Sequence, residues 1–208
     1  MSSVAGIPST AKRHAILEAA IDGFLGGGYA ASLDDIAAAA GVGKQTVYRH
    51  FGDKQALFLA AVTAARERAA RDGADGTPAG REQDSRDPCR ALTAMGERIL
   101  AMALSPTVAA LHRLTIAEIA NQPELGRRWG DTAAPYLDDE LTAYLRDCDA
   151  VGTLRVPDPA RAARQFAFLL VTDGRVASAY GTRPLSAQRR RAIAAETADL
   201  IVRAHRTD

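Results

Sequence analysis

Apolar residues recur at spacings of three and four along almost the whole chain, and no segment alternates apolar and polar residues in the manner of a half-buried strand. Stretches rich in alanine add to the preference for helix. The sequence therefore predicts an all-α fold. Capping residues, glycines and prolines set the ends of the helices, which we place at residues 12–25, 32–41, 44–50, 53–71, 89–104, 107–121, 135–152, 158–180 and 186–205. A further short turn or helix carries Trp129.

Residues 72–88 divide the chain into two parts of different size. This stretch combines many charges with several glycines and prolines and has hardly any apolar residue larger than alanine, which predicts a mobile loop. Before it, the pattern indicates an N-terminal three-helix domain with a helix-turn-helix at residues 1–55, connected through the helix at 53–71. We expect the remainder, residues 56–208, to form a larger helical domain.

The segment 32–54 has the spacing of a helix-turn-helix. Ile36 and its apolar neighbours face inward on the first helix, and Gly41 permits the left-handed turn that follows. Val47 and Phe51 then anchor the second helix. Because successive residues of a helix are separated by about 100°, the side chains opposite these anchors point outward. They are Lys44, Gln45 and Tyr48, with Thr46 and His50 at the edges of the same face.

The outward side chains of this second helix are of types that contact DNA. Glutamine pairs with a base edge through two hydrogen bonds, lysine reaches guanine or phosphate, and tyrosine, threonine and histidine donate to phosphates. Overall charge does not decide the question, because the net charge is only +1 and the basic and acidic residues of positions 1–54 cancel. The prediction of DNA binding therefore depends on where these side chains lie. A solvated polar face without a ligand is the alternative.

The same region resembles the N-terminal signature of the tetracycline-repressor family, in the correct order and spacing. The matching residues are Ile16–Leu17, Ala19–Ala20, Phe24, Ile36–Ala37, Ala40–Val42, Thr46–Tyr48, His50–Phe51, Lys54 and Leu57. By this resemblance the DNA-contacting positions are Ser32, Gly43, Lys44, Gln45, Thr46, Tyr48, His50 and Lys54. Gly43 departs from the serine or other polar residue common there, and it leaves only a backbone N–H for a phosphate.

The resemblance implies a transcription regulator that acts on double-stranded operator DNA. It implies a homodimer, an unknown small-molecule effector and no cofactor. The expected function is that of a repressor that releases a palindromic operator when the effector binds the C-terminal domain. An activator of the same fold and a helical interaction scaffold without DNA activity are the alternatives.

The last two predicted helices have the pattern of a subunit interface. Every residue from 166 to 171 is apolar, so this helix must be covered on more than one side. Small residues recur along it at spacings of three and four, which lets another helix approach closely. The residues predicted at the interface are Ala163, Ala167, Val171, Gly174, Ser178, Ile193, Leu200 and Ile201. Two such helices from each subunit would form a four-helix bundle about a two-fold axis, and internal core is the alternative.

An effector pocket is predicted among the C-terminal helices, several of which are interrupted by proline. The candidate ligand-binding residues are His112, Trp129, Tyr136, Phe166, Leu170 and Asp173. Each has an ordinary alternative: a surface or hydrogen-bonded core histidine, a packing aromatic, or an aspartate paired with an arginine. Residues 123–154 also look similar to a C-terminal domain found in one branch of the family, which implies no particular ligand.

Other functions find little support in the sequence. Catalytic motifs and metal-spaced clusters are absent, so we expect neither an enzyme nor a metal site. Residues 41–44 look like part of a phosphate loop, but Gln45 follows the lysine and an alanine-rich helix precedes the glycines. Cys89 and Cys148 are far apart and predict reduced thiols, with a redox sensor as the alternative. The first ten residues carry no secretion signal and no apolar run reaches bilayer length, so we expect a cytoplasmic protein.

Overall fold

The computed structural model describes the backbone of residues 9–73, 87–132 and 135–207, and the side chains of residues 9–72, 87–130 and 140–207. The predicted all-α fold is confirmed, because the only β pairing in these ranges is an isolated bridge between Leu154 and Arg206. The helices are α1 (Ser9–Gly27), a 3-10 helix (Gly28–Ala30), α2 (Leu33–Ala39), α3 (Lys44–Phe51), α4 (Lys54–Gly73), α5 (Pro88–Ala103), α6 (Pro106–Ile119), α7 (Pro123–Thr132), α8 (Pro135–Ala150), α9 (Pro159–Ala177) and α10 (Ala187–Ala204). Most of the loop predicted at 72–88 lies outside the described residues.

The helix ends follow local chemistry, with three differences from the sequence prediction. α1 continues through the glycines that were expected to end it and stops before Gly28, whose φ is +64°. The short element expected around Trp129 is a full helix of ten residues, α7. α9 ends before residue 180, because Ala179 and Tyr180 adopt left-handed φ values of 47° and 57°. Such values are incompatible with a right-handed helix.

The chain forms two compact units. One contains residues 1–65 and 110–129, and the other contains residues 66–109 and 130–208. The helices α4 and α6 therefore run through both units. The helix-turn-helix shares its unit with most of α6 and α7, an association that no sequence pattern indicated.

An aromatic cluster forms part of the core of the first unit. Phe24 and Phe58 meet edge to face with ring centroids 5.0 Å apart, and Tyr29 meets Phe58 at 5.3 Å in the same manner. Such pairs add to the stabilisation from burial alone. Ile16 and Leu57 are fully buried with them, so α1 and α4 present the apolar stripes that their spacing predicts.

The second unit is built around α5, α9 and α10, which pack closely because small residues lie where they meet. A Cβ atom at Gly174 of α9 would lie only 2.5 Å from Cδ2 of Leu100 on α5, and one at Gly96 would lie 3.0 Å from Cβ of Ala194 on α10. Interiors at this density leave no room for added atoms. Packing within the protomer therefore leaves no room for a side chain at either of these two positions.

Helix length, potential metal ligands and cysteines bear on the functions that the sequence left open. No single described helix is long and apolar enough to cross a membrane; α5 and α6 pass that test only when counted together, across a bend of 68°. No group of three or more His, Cys, Asp or Glu side chains among the described residues lies close enough together to hold a metal ion. Cys89 and Cys148 are free thiols, and burial raises the pKa of Cys89, which disfavours the reactive thiolate.

Candidate nucleic-acid interface

The predicted helix-turn-helix is present, and its turn gives α3 a fixed orientation. Ser32 caps α2 by accepting a hydrogen bond from the amide of Asp34 at 3.1 Å. Gly41 has a φ of +65°, the left-handed turn that the sequence predicted. Val47 is buried and anchors α3 from one side. The opposite side of α3 therefore faces solvent.

The polar side chains of α3 divide into an exposed and a half-buried group. Lys44, Gln45 and Tyr48 are exposed, as their predicted face requires, whereas Thr46 and His50 are half-buried. Nε2 of His50 is buried and has no hydrogen-bond partner among the described residues. Arg49 is exposed as well. Lys44, Gln45 and Tyr48 form what we call the α3 face, which is directly accessible to a ligand as large as duplex DNA.

The ammonium group of Lys44 forms an ion pair on this surface. It lies 2.9 Å from Oδ2 of Asp34 on α2, and both side chains are well exposed. The hydrogen bond to Asp34 and its negative charge raise the pKa of Lys44. Exposed ion pairs contribute little to stability. A phosphate can therefore replace Asp34 as the partner of Lys44 at low cost.

The N-terminus of α3 is open. Gly43 is its N-cap residue and supplies no side-chain hydrogen bond, and a Cβ atom at this position would meet nothing within 4 Å. The first amides of a helix lack partners within the helix and carry the positive end of its dipole. Together these features favour an anion such as a phosphate at this end of α3.

Lys54, predicted as a phosphate contact at the start of α4, is half-buried. Its ammonium group lies 5.1 Å from the ring centroid of Tyr29, a cation–π contact, and burial lowers the pKa of Lys54. On the other side of α3, the guanidinium of Arg13 lies 5.1 Å from the ring centroid of Phe51. Nothing in the local sequence pattern separates Arg13 from an ordinary surface arginine of α1, so this contact could not be predicted.

Asp53, just before α4, brings a distant residue into the helix-turn-helix unit. Its Oδ1 accepts the amide hydrogen of Ala56 at 2.7 Å and thereby caps α4. One terminal nitrogen of Arg128 on α7 donates to Oδ2 and Oδ1 of Asp53 at 2.9 and 3.2 Å. Sequence reasoning missed this pair because the two residues are far apart in the chain and neither belongs to a motif.

The predicted ligand-binding residues fall into the two units. His112 and Trp129 belong to the first, where their ring centroids lie 6.2 Å apart at an angle of 56°. In the second unit, Phe166 and Leu170 are fully buried next to Gly96, and Asp173 is exposed. The side chain of Tyr136 lies outside the described residues. Among the described residues, the structure thus brings His112 and Trp129 together in one unit, and Phe166 and Leu170 together in the other.

Seven of the eight residues predicted at the dimer interface are buried within the protomer. The exception is Leu200, which is exposed; the buried residues are Ala163, Ala167, Val171, Gly174, Ser178, Ile193 and Ile201. The close helix contact expected at Gly174 exists, but it is made with α5 of the same chain. Ser178 accepts the amide hydrogen of Gly181 and donates to the carbonyl of Arg175, so it holds the turn after α9. This burial fits the alternative of internal core.

Two family models match the sequence, and neither describes an enzyme. The model described as bacterial regulatory proteins, tetR family, matches residues 16–61. The model described as AefR-like transcriptional repressor, C-terminal domain, matches residues 90–207. No curated protein sequence matches the chain.

Solved structures of other regulators have the same fold, and two of the three that follow are described as TetR regulators. One from Mesorhizobium loti has a TM-score of 0.77 and 24% identity, covering 97% of this chain and 100% of that chain. One from Agrobacterium tumefaciens has a TM-score of 0.72 and 23% identity, covering 98% and 97%. The flavonoid-responsive regulator FrrA has a TM-score of 0.69 and 26% identity, covering 94% and 97%.

The two family models together cover the helix-turn-helix and nearly all of the chain from α5 onward, the second alone more than half of the sequence. The fold agrees over the full length of the solved structures. The chain therefore belongs to the tetracycline-repressor (TetR) family of DNA-binding transcriptional regulators.

Proposed function

We propose that this regulator is a repressor that binds a two-fold symmetric operator as a homodimer and releases it when a small molecule binds its C-terminal helices. The observation that carries the proposal is the α3 face, where Lys44, Gln45 and Tyr48 are exposed on a helix whose other side is anchored by Val47. The description of the matched C-terminal model as part of a repressor favours repression over activation.

Each part of the α3 face has a distinct role in this proposal. Gln45 reads a base edge in the major groove, since its amide both donates and accepts hydrogen bonds. Tyr48 donates to a phosphate, and Lys44 exchanges Asp34 for a phosphate or a guanine. The open N-terminus of α3 at Gly43 receives a further phosphate. Ser32, Thr46, His50 and Lys54 are expected to support these contacts from the edges.

The homodimer is proposed to form through the outer sides of α9 and α10. Phe168, Leu169 and Val176 on α9 and Leu200 on α10 are exposed, Phe168 by 67% of its surface. Phe168 and Val176 are eight residues apart, which places them on the same side of the helix. Burying large apolar side chains on association is favourable, and helices from two subunits can pack here as a four-helix bundle.

The effector is proposed to act beside Trp129 and His112. An aromatic compound can stack on the indole ring, the only one in the chain. The structurally similar regulator FrrA is described as flavonoid-responsive. Flavonoids are therefore the first compounds to screen, with Trp129 fluorescence as the signal of binding.

A reporter assay tests the repressor proposal. An operator selected from a pool of random duplexes by its binding to the protein is placed between a promoter and a reporter gene, and expression is compared with and without the regulator. We expect the wild-type chain to lower expression and the Gln45→Ala variant to lower it much less. Raised expression would establish the activator alternative. Absence of any effect on a duplex that the protein binds in vitro would contradict regulation through this operator.

A further inference from the structure

The start of α4 is held by Arg128 of α7 and by Gln122, which lies between α6 and α7; all of these residues belong to the same unit. Arg128 of α7 binds the carboxylate of Asp53 through both oxygens, and its Nε donates to Glu124 at 3.1 Å. Glu124 therefore fixes the guanidinium from the other side. Because Arg128 contacts both Glu124 and Asp53, its guanidinium has little freedom to move. Its ion pair with Asp53 therefore restrains the position of Asp53 more strongly than a single flexible contact would.

A second contact lies next to this ion pair. Nε2 of Gln55 donates to Oε1 of Gln122 at 3.1 Å, and Nε2 of Gln122 donates to Oε2 of Glu118 at 3.3 Å. The residue between Asp53 and Gln55 is Lys54, whose ammonium group rests on the ring of Tyr29. Three consecutive residues at the start of α4, Asp53, Lys54 and Gln55, are thus held in place. Arg128 holds the first and Gln122 holds the third.

The start of α4 is rigidly connected to α3. Only Gly52 and Asp53 separate the two helices. Gly52 has a φ of +81°, its amide donates to the carbonyl of Tyr48 at 2.7 Å, and the amide of Asp53 donates to the carbonyl of Phe51 at 3.0 Å. A displacement of Asp53 is therefore transmitted to the end of α3 that carries Tyr48.

The charge of Asp53 also matters for DNA binding. The hydrogen bond from the amide of Ala56, together with Arg128, lowers the pKa of Asp53, so its carboxylate is ionised at neutral pH. Without Arg128, this negative charge next to Lys54 would be uncompensated close to the proposed phosphate contacts. Repulsion between the Asp53 carboxylate and the DNA phosphates would oppose binding, and it would do so most strongly at low salt, where charges are least screened.

We propose that Arg128 is a positioning residue for DNA recognition: through Asp53 it fixes the start of α4, and thereby the orientation of α3, against α7 of the same unit. The adjacent Trp129 lies against His112, with ring centroids 6.2 Å apart, so we expect a ligand that displaces the Trp129 ring to shift the helical turn that carries Arg128. The role rests on the proposed function, and it assigns the link between the effector and α3 to α7.

The test compares four variants of the full-length protein on the selected operator. Arg128→Gln removes the contact to Asp53. Arg127→Gln is the matched control, because Arg127 pairs with Glu124 but not with Asp53. Arg128→Lys keeps the charge and offers a partial rescue. Asp53→Asn removes the carboxylate and keeps a residue type that can cap α4.

We expect Arg128→Gln to weaken operator binding by about three- to fivefold at low salt, the scale of a partly exposed ion pair. Arg127→Gln should bind as the wild type does, and Arg128→Lys should recover part of the loss. Within the Asp53→Asn background, Arg128→Gln should add less than about a twofold effect, because the partner is already gone. Thermal unfolding midpoints of all variants separate this effect from a loss of stability.

Equal affinities of the Arg128→Gln and Arg127→Gln variants would overturn the positioning role, as would independent effects of the changes at residues 53 and 128. If Arg128→Gln fails to fold, the Arg128→Lys and Asp53→Asn variants give the same comparison. A wild-type chain that enriches no operator would instead overturn the proposed function itself. The two failures are thus distinguishable.

Discussion

A glycine lies at the N-terminus of α3 and another in the last turn of α9, and the surroundings of these two glycines are opposite. At Gly43 an added Cβ atom meets nothing within 4 Å, whereas at Gly174 it lies 2.5 Å from Leu100. The surroundings of Gly43 form an open polar surface of the helix-turn-helix, and those of Gly174 form a packed core. Side chains at α3 are therefore available to a ligand, and those on the inner side of α9 are available only to the fold.

The largest expected effect comes from a charge placed in the packed region. Gly174→Glu puts a carboxylate against the fully buried Leu100, and a buried unpaired charge costs at least about 3 kcal/mol. We expect the free energy of unfolding, measured by urea denaturation, to fall by this amount or the protein not to fold. Gln188→Glu, at an exposed position near the start of α10, is the control and should change it by less than about 0.5 kcal/mol. A folded Gly174→Glu protein of normal stability would contradict the packing described for α9.

The next effect separates the two sides of α9. Phe168→Glu introduces a charge on the outer side of α9, where Phe168 is exposed and is not part of the protomer's core. The protein should therefore fold but remain a monomer. Losing one of two linked half-site contacts should lower operator affinity by at least about 100-fold. Sedimentation and operator binding measure the two quantities.

A matched control for this variant is Val151→Glu, an equally exposed apolar position after α8. It should leave the dimer intact. A Phe168→Glu protein that remains dimeric would show that the subunits associate through another surface.

Smaller losses of DNA affinity are expected from changes on the α3 face, and their dependence on the DNA sequence should differ between Gln45 and Tyr48. Gln45→Ala removes a base-edge contact, which should cost about 1 to 3 kcal/mol on the operator and little on random duplex DNA. Tyr48→Ala should weaken both by a similar factor and lower the dependence on salt, because a phosphate contact is lost. Titration of both duplexes at several salt concentrations distinguishes the two patterns. Equal losses on both duplexes for Gln45→Ala would rule out base recognition by this residue.

The smallest effect is expected at Gly43. Gly43→Ser adds a hydroxyl that can cap α3, which should raise the free energy of unfolding by a few tenths of a kcal/mol. The same hydroxyl can donate to a phosphate and should raise operator affinity by no more than about fivefold. A decrease in affinity would show that the open N-terminus of α3 accommodates the DNA backbone too closely for a side chain.

The contrast between the two regions also explains what the sequence could predict. The α3 face followed from residues within one segment, because Gly41 sets the turn and Val47 sets which side is buried. Those constraints act over one or two helical turns, and the exposure of Lys44, Gln45 and Tyr48 agrees with them. Local spacing was sufficient to predict the helix-turn-helix and the all-α fold.

Local spacing was insufficient in the C-terminal helices. The small residues around Gly174 correctly indicated a close helix contact, but the pattern does not encode which helix makes it, and the partner is α5 of the same chain. The pairing of Asp53 with Arg128 likewise depends on how α7 packs in the first unit. Both features arise from tertiary contacts between segments that are far apart in sequence.

The most direct test of the central claim, that α3 reads DNA in a symmetric dimer, is selection of bound sequences from a pool of random duplexes. The account predicts a two-fold symmetric consensus whose half-sites lie about 34 to 36 Å apart or at a multiple of that distance. Repeating the selection with Gln45→Ala should relax the preference at the same position in both halves. A consensus with a single half-site, or one that Gln45→Ala leaves unchanged, would contradict the account.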